Sequence, residues 1–103
     1  MNEAVKIIRE EIEKRGIKVT KIILFGSRAK GTYKEDSDWD FFVVIDKKLS
    51  FNEKWDIIDE IKIRLAKLGT PNDIILKSED EVEEAKEDVG RITYYVLKEG
   101  VEV

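Results

Sequence analysis

The sequence contains no cysteine and no histidine. Their absence excludes disulfide bonds, thiol nucleophiles, serine–histidine triads and the usual zinc sites. Any acid–base or metal chemistry must therefore come from Asp, Glu, Lys, Ser or Tyr side chains. A metal bound only by carboxylates is a hard ion, so Mg²⁺ or Mn²⁺ is the expected cofactor of such a site.

Long apolar runs and a basic charge balance are also lacking. The longest apolar run, Phe41 to Ile45, is far too short to cross a bilayer, and the first residues show no signal-peptide pattern. We therefore expect a cytoplasmic protein that does not bind membranes. The net charge of −4 argues against direct, non-specific binding to nucleic acid, which needs a basic surface.

The residues that are present suit an ordinary globular domain. A chain of 103 residues fits one domain over residues 1–103 and leaves little room for a second core. Charged residues reach 41%, but both signs are mixed along the chain. This mixture indicates a salt-bridged surface rather than a disordered polyelectrolyte.

Apolar periodicity and capping patterns predict the order of helices and strands. Strands are expected over Val19–Phe25, Trp39–Ile45, Asp73–Leu76 and 101–103, and helices over 2–15, 51–68, 79–88 and 92–97. The segment 27–37 is expected to be a loop or a short helical turn. The aromatic side chains of Phe51 and Trp55 are expected in the core. This order predicts an α+β fold in which a small mixed β-sheet is backed by helices.

Two carboxylates, Asp38 and Asp40, lie where the second strand begins. Because strand side chains alternate between faces, both point to the same side, with Cα atoms about 6.5 Å apart. Carboxylates at that separation can share a divalent ion, or two ions, whereas without a cation they repel each other. The alternative is an ordinary turn followed by a solvated strand end.

The turn that ends the first strand, Gly26-Ser27, favours the metal-site interpretation. Glycine permits close approach of a ligand to the backbone, and N–H groups beyond a strand form an anion-binding concavity. The Ser27 hydroxyl adds a donor, and Arg28, Lys30 and Lys34 bring positive charge to the same loop, as a polyphosphate requires. An anion cradle beside a carboxylate pair indicates metal-dependent phosphoryl or nucleotidyl transfer.

Asp73 is a third candidate carboxylate, at the start of the third strand. If that strand neighbours the second, Asp73 can ligate the metal or accept the proton of the attacking hydroxyl. The alternative, which spacing does not exclude, is that Asp73 is only a turn residue.

The segments Gly26–Gly31 and Ser37–Asp40, in the pattern G-S-x-A-x-G and S-D-x-D, resemble the signature of the DNA polymerase β-type nucleotidyltransferase superfamily. The chain length, the lead-in Leu24–Phe25 and the late Lys98–Val101 are similar, more narrowly, to those of the minimal nucleotidyltransferases of archaea and bacteria. These small proteins are usually encoded beside a helical HEPN-domain protein. The resemblance covers nearly the whole chain.

The resemblance implies a polymerase β palm-like fold and a role for each matching residue. Gly26 and Ser27 would hold ATP or another nucleoside triphosphate, Asp38 and Asp40 would bind two Mg²⁺ ions, and Asp73 would complete the metal site and help to deprotonate the acceptor. Family members are antitoxins that form a complex with the HEPN toxin, a ribonuclease, and transfer AMP from ATP to one of its tyrosines.

Two other functions remain open from the sequence. The chain could be an antitoxin that blocks its partner by occlusion alone, without catalysis. It could also be a transferase acting on a small molecule, although the additional substrate domain of larger relatives is missing. The sequence does not fix the nucleotide preference, the acceptor residue, the number of nucleotides transferred or the oligomeric state.

Overall fold

The computed structural model describes residues 2–103 as an alternation of helices with the strands of one small sheet. The helices are α1 (Asn2–Glu13), α2 (Ser27–Lys30), α3 (Phe51–Lys67), α4 (Glu79–Ala85) and α5 (Ile92–Glu99). The strands are β1 (Val19–Phe25), β2 (Trp39–Ile45), β3 (Asn72–Ser78) and β4 (Val101–Glu102). Within residues 2–103, no helix combines the length and the apolar character that a bilayer crossing requires.

The sheet is mixed, with strand order β3-β2-β1-β4. β2 lies inside the sheet, antiparallel to β1 and parallel to β3, and β4 pairs antiparallel with β1. β2 is an interior strand, since both of its edges are hydrogen-bonded. The parallel pairing with β3 requires a crossover connection, which α3 provides.

Alternating side chains of the strands divide the interior into two cores, one on each face of the sheet. The first core lies under α1 and α3 and includes the strand residues Ile22, Leu24, Phe41, Val43, Ile45, Ile74 and Leu76. The second core lies under α5 and consists of Ile23, Phe25, Phe42, Val44 and Val96. Because β2 is apolar on both faces, it contributes to both cores, as strands covered on two sides do.

The predicted helix starts are confirmed in detail. The Ser50 hydroxyl accepts a hydrogen bond from the Glu53 backbone N–H and so caps α3. Ser78 and Glu81 form a reciprocal capping box that opens α4, which satisfies N–H groups that have no partner within the helix. The helix ends differ more from the prediction, since α1 stops at Glu13 and α4 at Ala85, before the expected ends at 15 and 88.

The expected burial of the aromatic pair in α3 is wrong. Phe51 is 75% exposed and Trp55 is 45% exposed, and their ring centroids lie 6.2 Å apart on the surface. The buried stripe of α3 starts only at Ile57 and ends at Leu65, so the helix extends past the layer on which it packs. Periodicity identifies the inward face of a helix, but the extent of the surface beneath it depends on the other elements.

A buried carboxylate, Glu11, joins α1 to α3. Its side chain is 5% exposed and lies 2.8 Å from Lys14 Nζ, 3.5 Å from Arg15 Nη1 and 2.9 Å from Arg64 Nη1. Arg64 also bonds Glu10 at 3.0 Å, so one guanidinium of α3 binds two carboxylates of α1. The hydrogen bond with Lys14 is the main cause that lowers the pKa of Glu11, and it outweighs the cost of burial.

We expect Arg64→Met to lower the free energy of unfolding, because it removes a charge-assisted bond from a buried carboxylate. Since the pKa of Glu11 is lowered in the folded state, this ion cluster stabilises the fold above the unfolded pKa and is lost as pH falls through the folded pKa. Urea unfolding at neutral and acidic pH measures both effects. A pH-independent Arg64→Met penalty would contradict the assignment.

Candidate active site

Asp40 stands where the three longer strands of the sheet meet. It is the second residue of β2, and its Cα is the register partner of Phe25 at the end of β1 and of Asp73 in β3. By strand alternation its side chain is on the face of Phe42 and Val44, which belong to the second core. Asp40 therefore lies on the same face of the sheet as the second core, next to its apolar residues and at the end of β1.

The pKa of Asp40 shows that the other two predicted carboxylates lie close enough to influence it. Burial, followed by the charges of Asp73 and Asp38, raises the pKa of Asp40 above its ordinary value. A carboxyl surrounded by like charges and partly removed from water ionises at a cost. Only oxygen ligands are available here, and a divalent cation bound by them would remove that cost, so the residues fit Mg²⁺ or Mn²⁺.

The third strand brings Asp73 beside Asp40, as the sequence predicts for neighbouring strands. The Asp73 carboxylate is 3.8 Å from the ammonium of Lys62 on α3, and both side chains are largely exposed. Lys62 is also held by the backbone carbonyl of Asn72 at 3.2 Å. Among residues 2–103, no three acidic side chains lie close enough together to enclose a metal ion, so a metal-binding role for Asp73 stays a prediction.

Gly26 forms the wall of the site opposite Asp40. Its φ of 74° and ψ of −158° lie in a region that only glycine adopts without strain. A Cβ on this residue would lie 2.3 Å from Asp40 Oδ2, so the missing side chain is what lets the carboxylate pack against the turn. The carbonyl of Gly26 accepts hydrogen bonds from Ala29 and Lys30, which turns the chain directly from β1 into α2.

Ser27 begins α2 at the end of β1, beside this turn. Its backbone carbonyl accepts a hydrogen bond from Thr32 N–H at 3.1 Å, which closes the short helix at Gly31. The side chain is partly exposed. Its predicted role as a phosphate donor agrees with this position and remains a prediction.

Arg28, the third predicted nucleotide-binding residue, lies differently from what the loop sequence suggests. Its guanidinium carbon is 4.4 Å from the ring centroid of Tyr33 and 4.5 Å from that of Trp39. The side chains of Ala29 and Trp39 pack against the first core, whereas Asp40 is on the other face. The guanidinium therefore contacts the side of β2 opposite the Asp40 carboxylate, and its predicted role in nucleotide binding remains a prediction.

Lys30 and Tyr95 lie on the side of the second core. The ammonium of Lys30 is 5.0 Å from the ring centroid of Tyr95 on α5, and its interaction with that side chain raises the pKa of Lys30. Of the two cations of α2, Lys30 is thus the one on the same face of the sheet as Asp40. Tyr95 is not among the site residues that the sequence predicts, because nothing in its spacing relates it to Asp40.

A wide cleft of about 1060 Å³ lies against α1, lined by charged residues of that helix together with Arg64 and Val103. Since α1 packs on the first core, this cleft belongs to the opposite layer from Asp40. It contains none of the residues that the sequence predicts for catalysis, so it is not part of the candidate site.

Comparison with known proteins agrees with this geometry. The family model for the polymerase beta nucleotidyltransferase domain matches residues 6–102. No curated protein gives a significant match to the sequence. The chain is similar in fold to a crystal structure of a toxin–antitoxin with AMP-PNP, with a TM-score of 0.67 and 22% identity over 98% of this chain and 69% of the other.

Two mutants of the toxin–antitoxin MntA-HpeT are also similar. One has a TM-score of 0.64 and 18% identity, over 98% of this chain and 69% of the other. The second has a TM-score of 0.65 and 22% identity, over 99% of this chain and 69% of the other. These likenesses establish the fold, and the family match over residues 6–102 establishes the ancestry. The chain belongs to the polymerase beta nucleotidyltransferase family.

Proposed function

We propose that this protein is a Mg²⁺-dependent nucleotidyltransferase that transfers AMP from ATP to a hydroxyl group of a partner protein and releases pyrophosphate. The single observation that supports the proposal most is the position of Asp40, which faces the Gly26 turn and is the register partner of Asp73. A nucleotide at this edge meets carboxylates and a glycine-lined backbone at once. Those are the elements that phosphoryl chemistry needs, since its catalysis consists mainly of positioning and charge stabilisation.

Each residue has a defined task in this proposal. Asp38, Asp40 and Asp73 hold Mg²⁺, which when bound neutralises charge on the transferred phosphate and lowers the pKa of the acceptor hydroxyl. Gly26 leaves room for the phosphate chain, and Ser27 donates a hydrogen bond to it. Asp73 accepts the proton of the acceptor hydroxyl.

The partner we propose is a HEPN-domain toxin, with a tyrosine hydroxyl as the acceptor and the present chain as its antitoxin. Support comes from the resemblance to the minimal nucleotidyltransferases and from the similar fold of known toxin–antitoxin structures. The candidate site lies open at one edge of the sheet, with Asp38 and Asp73 exposed, so a folded protein surface can reach it.

The experiment incubates the protein with ATP labelled at the α-phosphate, Mg²⁺ and the product of the adjacent gene. Label on the partner, located by mass spectrometry, is the expected result, and it should disappear when EDTA is added. Protection of cells from the partner without any label, and by an Asp38→Asn/Asp40→Asn variant as well as by wild type, would show that the chain acts by occlusion. Label on a small molecule instead would indicate a free-standing transferase.

A further inference from the structure

The segment between α2 and β2, residues 31–38, carries Asp38 and has no hydrophobic anchor. Its residues are exposed except for Ser37, which is partly buried. None of them belongs to either core. Two internal hydrogen bonds shape the loop, from Ser37 N–H to the Lys34 carbonyl at 3.0 Å and from Lys34 N–H to the Ser37 hydroxyl at 2.8 Å. These bonds hold residues 34–37 together but do not attach them to the rest of the fold.

Arg28 makes that attachment. Its Nη2 donates to the carbonyls of Glu35 at 3.1 Å and Ser37 at 3.0 Å, and its Nε donates to the Ser37 carbonyl at 3.3 Å. The same guanidinium contacts the rings of Tyr33 and Trp39. One side chain of α2 therefore binds the backbone of the loop, the ring of Tyr33 within the loop and the ring of Trp39 directly after it.

The two ends of this contact are themselves fixed. Arg28 belongs to α2, which begins directly after β1 and whose Ala29 packs against the first core. Trp39 packs against the same core, and its N–H donates to the Pro71 carbonyl at 2.9 Å. The guanidinium thus connects a helix and a strand start that both pack on the first core, with the loop backbone between them.

We propose that Arg28 is a positioning residue: it fixes the 31–38 loop and thereby holds Asp38 beside Asp40. Ser37, whose carbonyl receives two of the three hydrogen bonds, immediately precedes Asp38. A shift of that carbonyl moves the carboxylate that follows it. The planar guanidinium is needed, because an ammonium group cannot stack on a ring and donate in its plane to two carbonyls simultaneously.

If the proposed function holds, replacing Arg28 affects catalysis differently from replacing a residue that binds phosphate. Losing a phosphate ligand weakens nucleotide binding, whereas losing the loop attachment disorders a metal ligand. Arg28→Lys should therefore raise the Mg²⁺ concentration for half-maximal transfer and lower kcat, with little change in the KM for ATP.

The first test needs neither nucleotide nor partner. Amide hydrogen exchange at positions 34 and 37, whose N–H groups are bonded within the loop, is compared in wild type, Arg28→Lys and Tyr33→Leu. Lys34→Ala is the matched control, because it removes a loop charge from a side chain outside these contacts. Each lost ring contact increases loop opening by a factor of about three to five. We expect exchange to accelerate by at least that factor in Arg28→Lys and Tyr33→Leu, and to stay unchanged in Lys34→Ala.

Trp39 provides a second readout. In a Trp55→Phe background it is the sole tryptophan, because the chain has two, and its emission should shift to longer wavelength in Arg28→Lys as the cation leaves the ring. Unchanged exchange and emission in Arg28→Lys would overturn the proposal, as would faster exchange with an unaltered Mg²⁺ requirement. If no variant, wild type included, transfers AMP, the proposed function fails, while the exchange data still decide whether Arg28 holds the loop.

Discussion

Asp40→Asn is expected to reduce nucleotidyl transfer by about 10³-fold or more, because it removes the carboxylate on which the candidate metal site is centred. Asparagine has nearly the same shape, so the turn at Gly26 and the pairing of β2 with β1 and β3 remain possible. The rate of label transfer to the partner at saturating ATP and Mg²⁺ measures the effect. Activity within tenfold of wild type would contradict the central role of Asp40.

The same variant should behave in the opposite way in a stability measurement without divalent cation. Burial and the charges of Asp73 and Asp38 raise the pKa of Asp40 in the folded state. The Asp40 carboxyl therefore contributes its full stabilisation at pH values below its pKa in the unfolded chain. That stabilisation is lost as pH rises through its higher pKa in the folded protein. Asparagine does not ionise, so Asp40→Asn should unfold at a higher urea concentration than wild type at neutral pH, and the difference should vanish in acid.

Adding Mg²⁺ should reverse that order, because a ligand that binds only the folded state stabilises it, by about 2.7 kcal/mol at a concentration 100 times the Kd. Asp36→Asn is the matched control. Asp36 is exposed in the neighbouring loop, and its replacement should change neither transfer nor the response to Mg²⁺. Equal Mg²⁺ stabilisation of wild type and Asp40→Asn would show that the cation binds elsewhere.

Gly26→Ala is expected to lower transfer by about 100-fold while costing little more stability than a simple backbone penalty. The combination of φ 74° and ψ −158° costs about 1–3 kcal/mol for any residue with a Cβ. The added Cβ would also lie 2.3 Å from Asp40 Oδ2. That oxygen is the end of a flexible side chain, so it turns away at small cost in stability but leaves its productive position.

Gly31→Ala separates these two effects. Gly31 has a similar φ of 79°, yet a Cβ there meets no atom within 4 Å. Both variants should lose unfolding free energy in urea, and Gly26→Ala should lose more, because its ψ of −158° lies in a glycine-only region whereas Gly31, at ψ 9°, is in the left-handed helical region. Only Gly26→Ala should lose most of its transfer activity. Equal losses of activity would mean that Gly26 serves the fold alone, without a role in placing Asp40.

Local physical chemistry explains why most of the secondary structure could be predicted. The strands β1 and β2 begin and end where the apolar pattern predicts, and hydroxyl side chains at Ser50 and Ser78 fix the starts of α3 and α4. Each of these signals acts within a few residues, so the sequence contains all that is needed to read it. The pattern of Gly26, Ser27, Asp38 and Asp40 was likewise sufficient to identify the family, because the motif lies within one short segment.

The remaining results depended on contacts between distant segments. The partnership of Asp73 with Asp40 required the parallel pairing of β3 with β2, and the exposure of Phe51 required knowing where the sheet beneath α3 ends. In the sequence alone, Arg28 and Lys30 were two equivalent cations of one loop. The tertiary structure separated them, because α2 directs Arg28 to Trp39 and the first core but Lys30 to Tyr95 and the face of Asp40. The sequence by itself thus determined the elements and the family, whose signals are local. Only the packing of strands and helices decided on which face of the sheet each charged side chain lies.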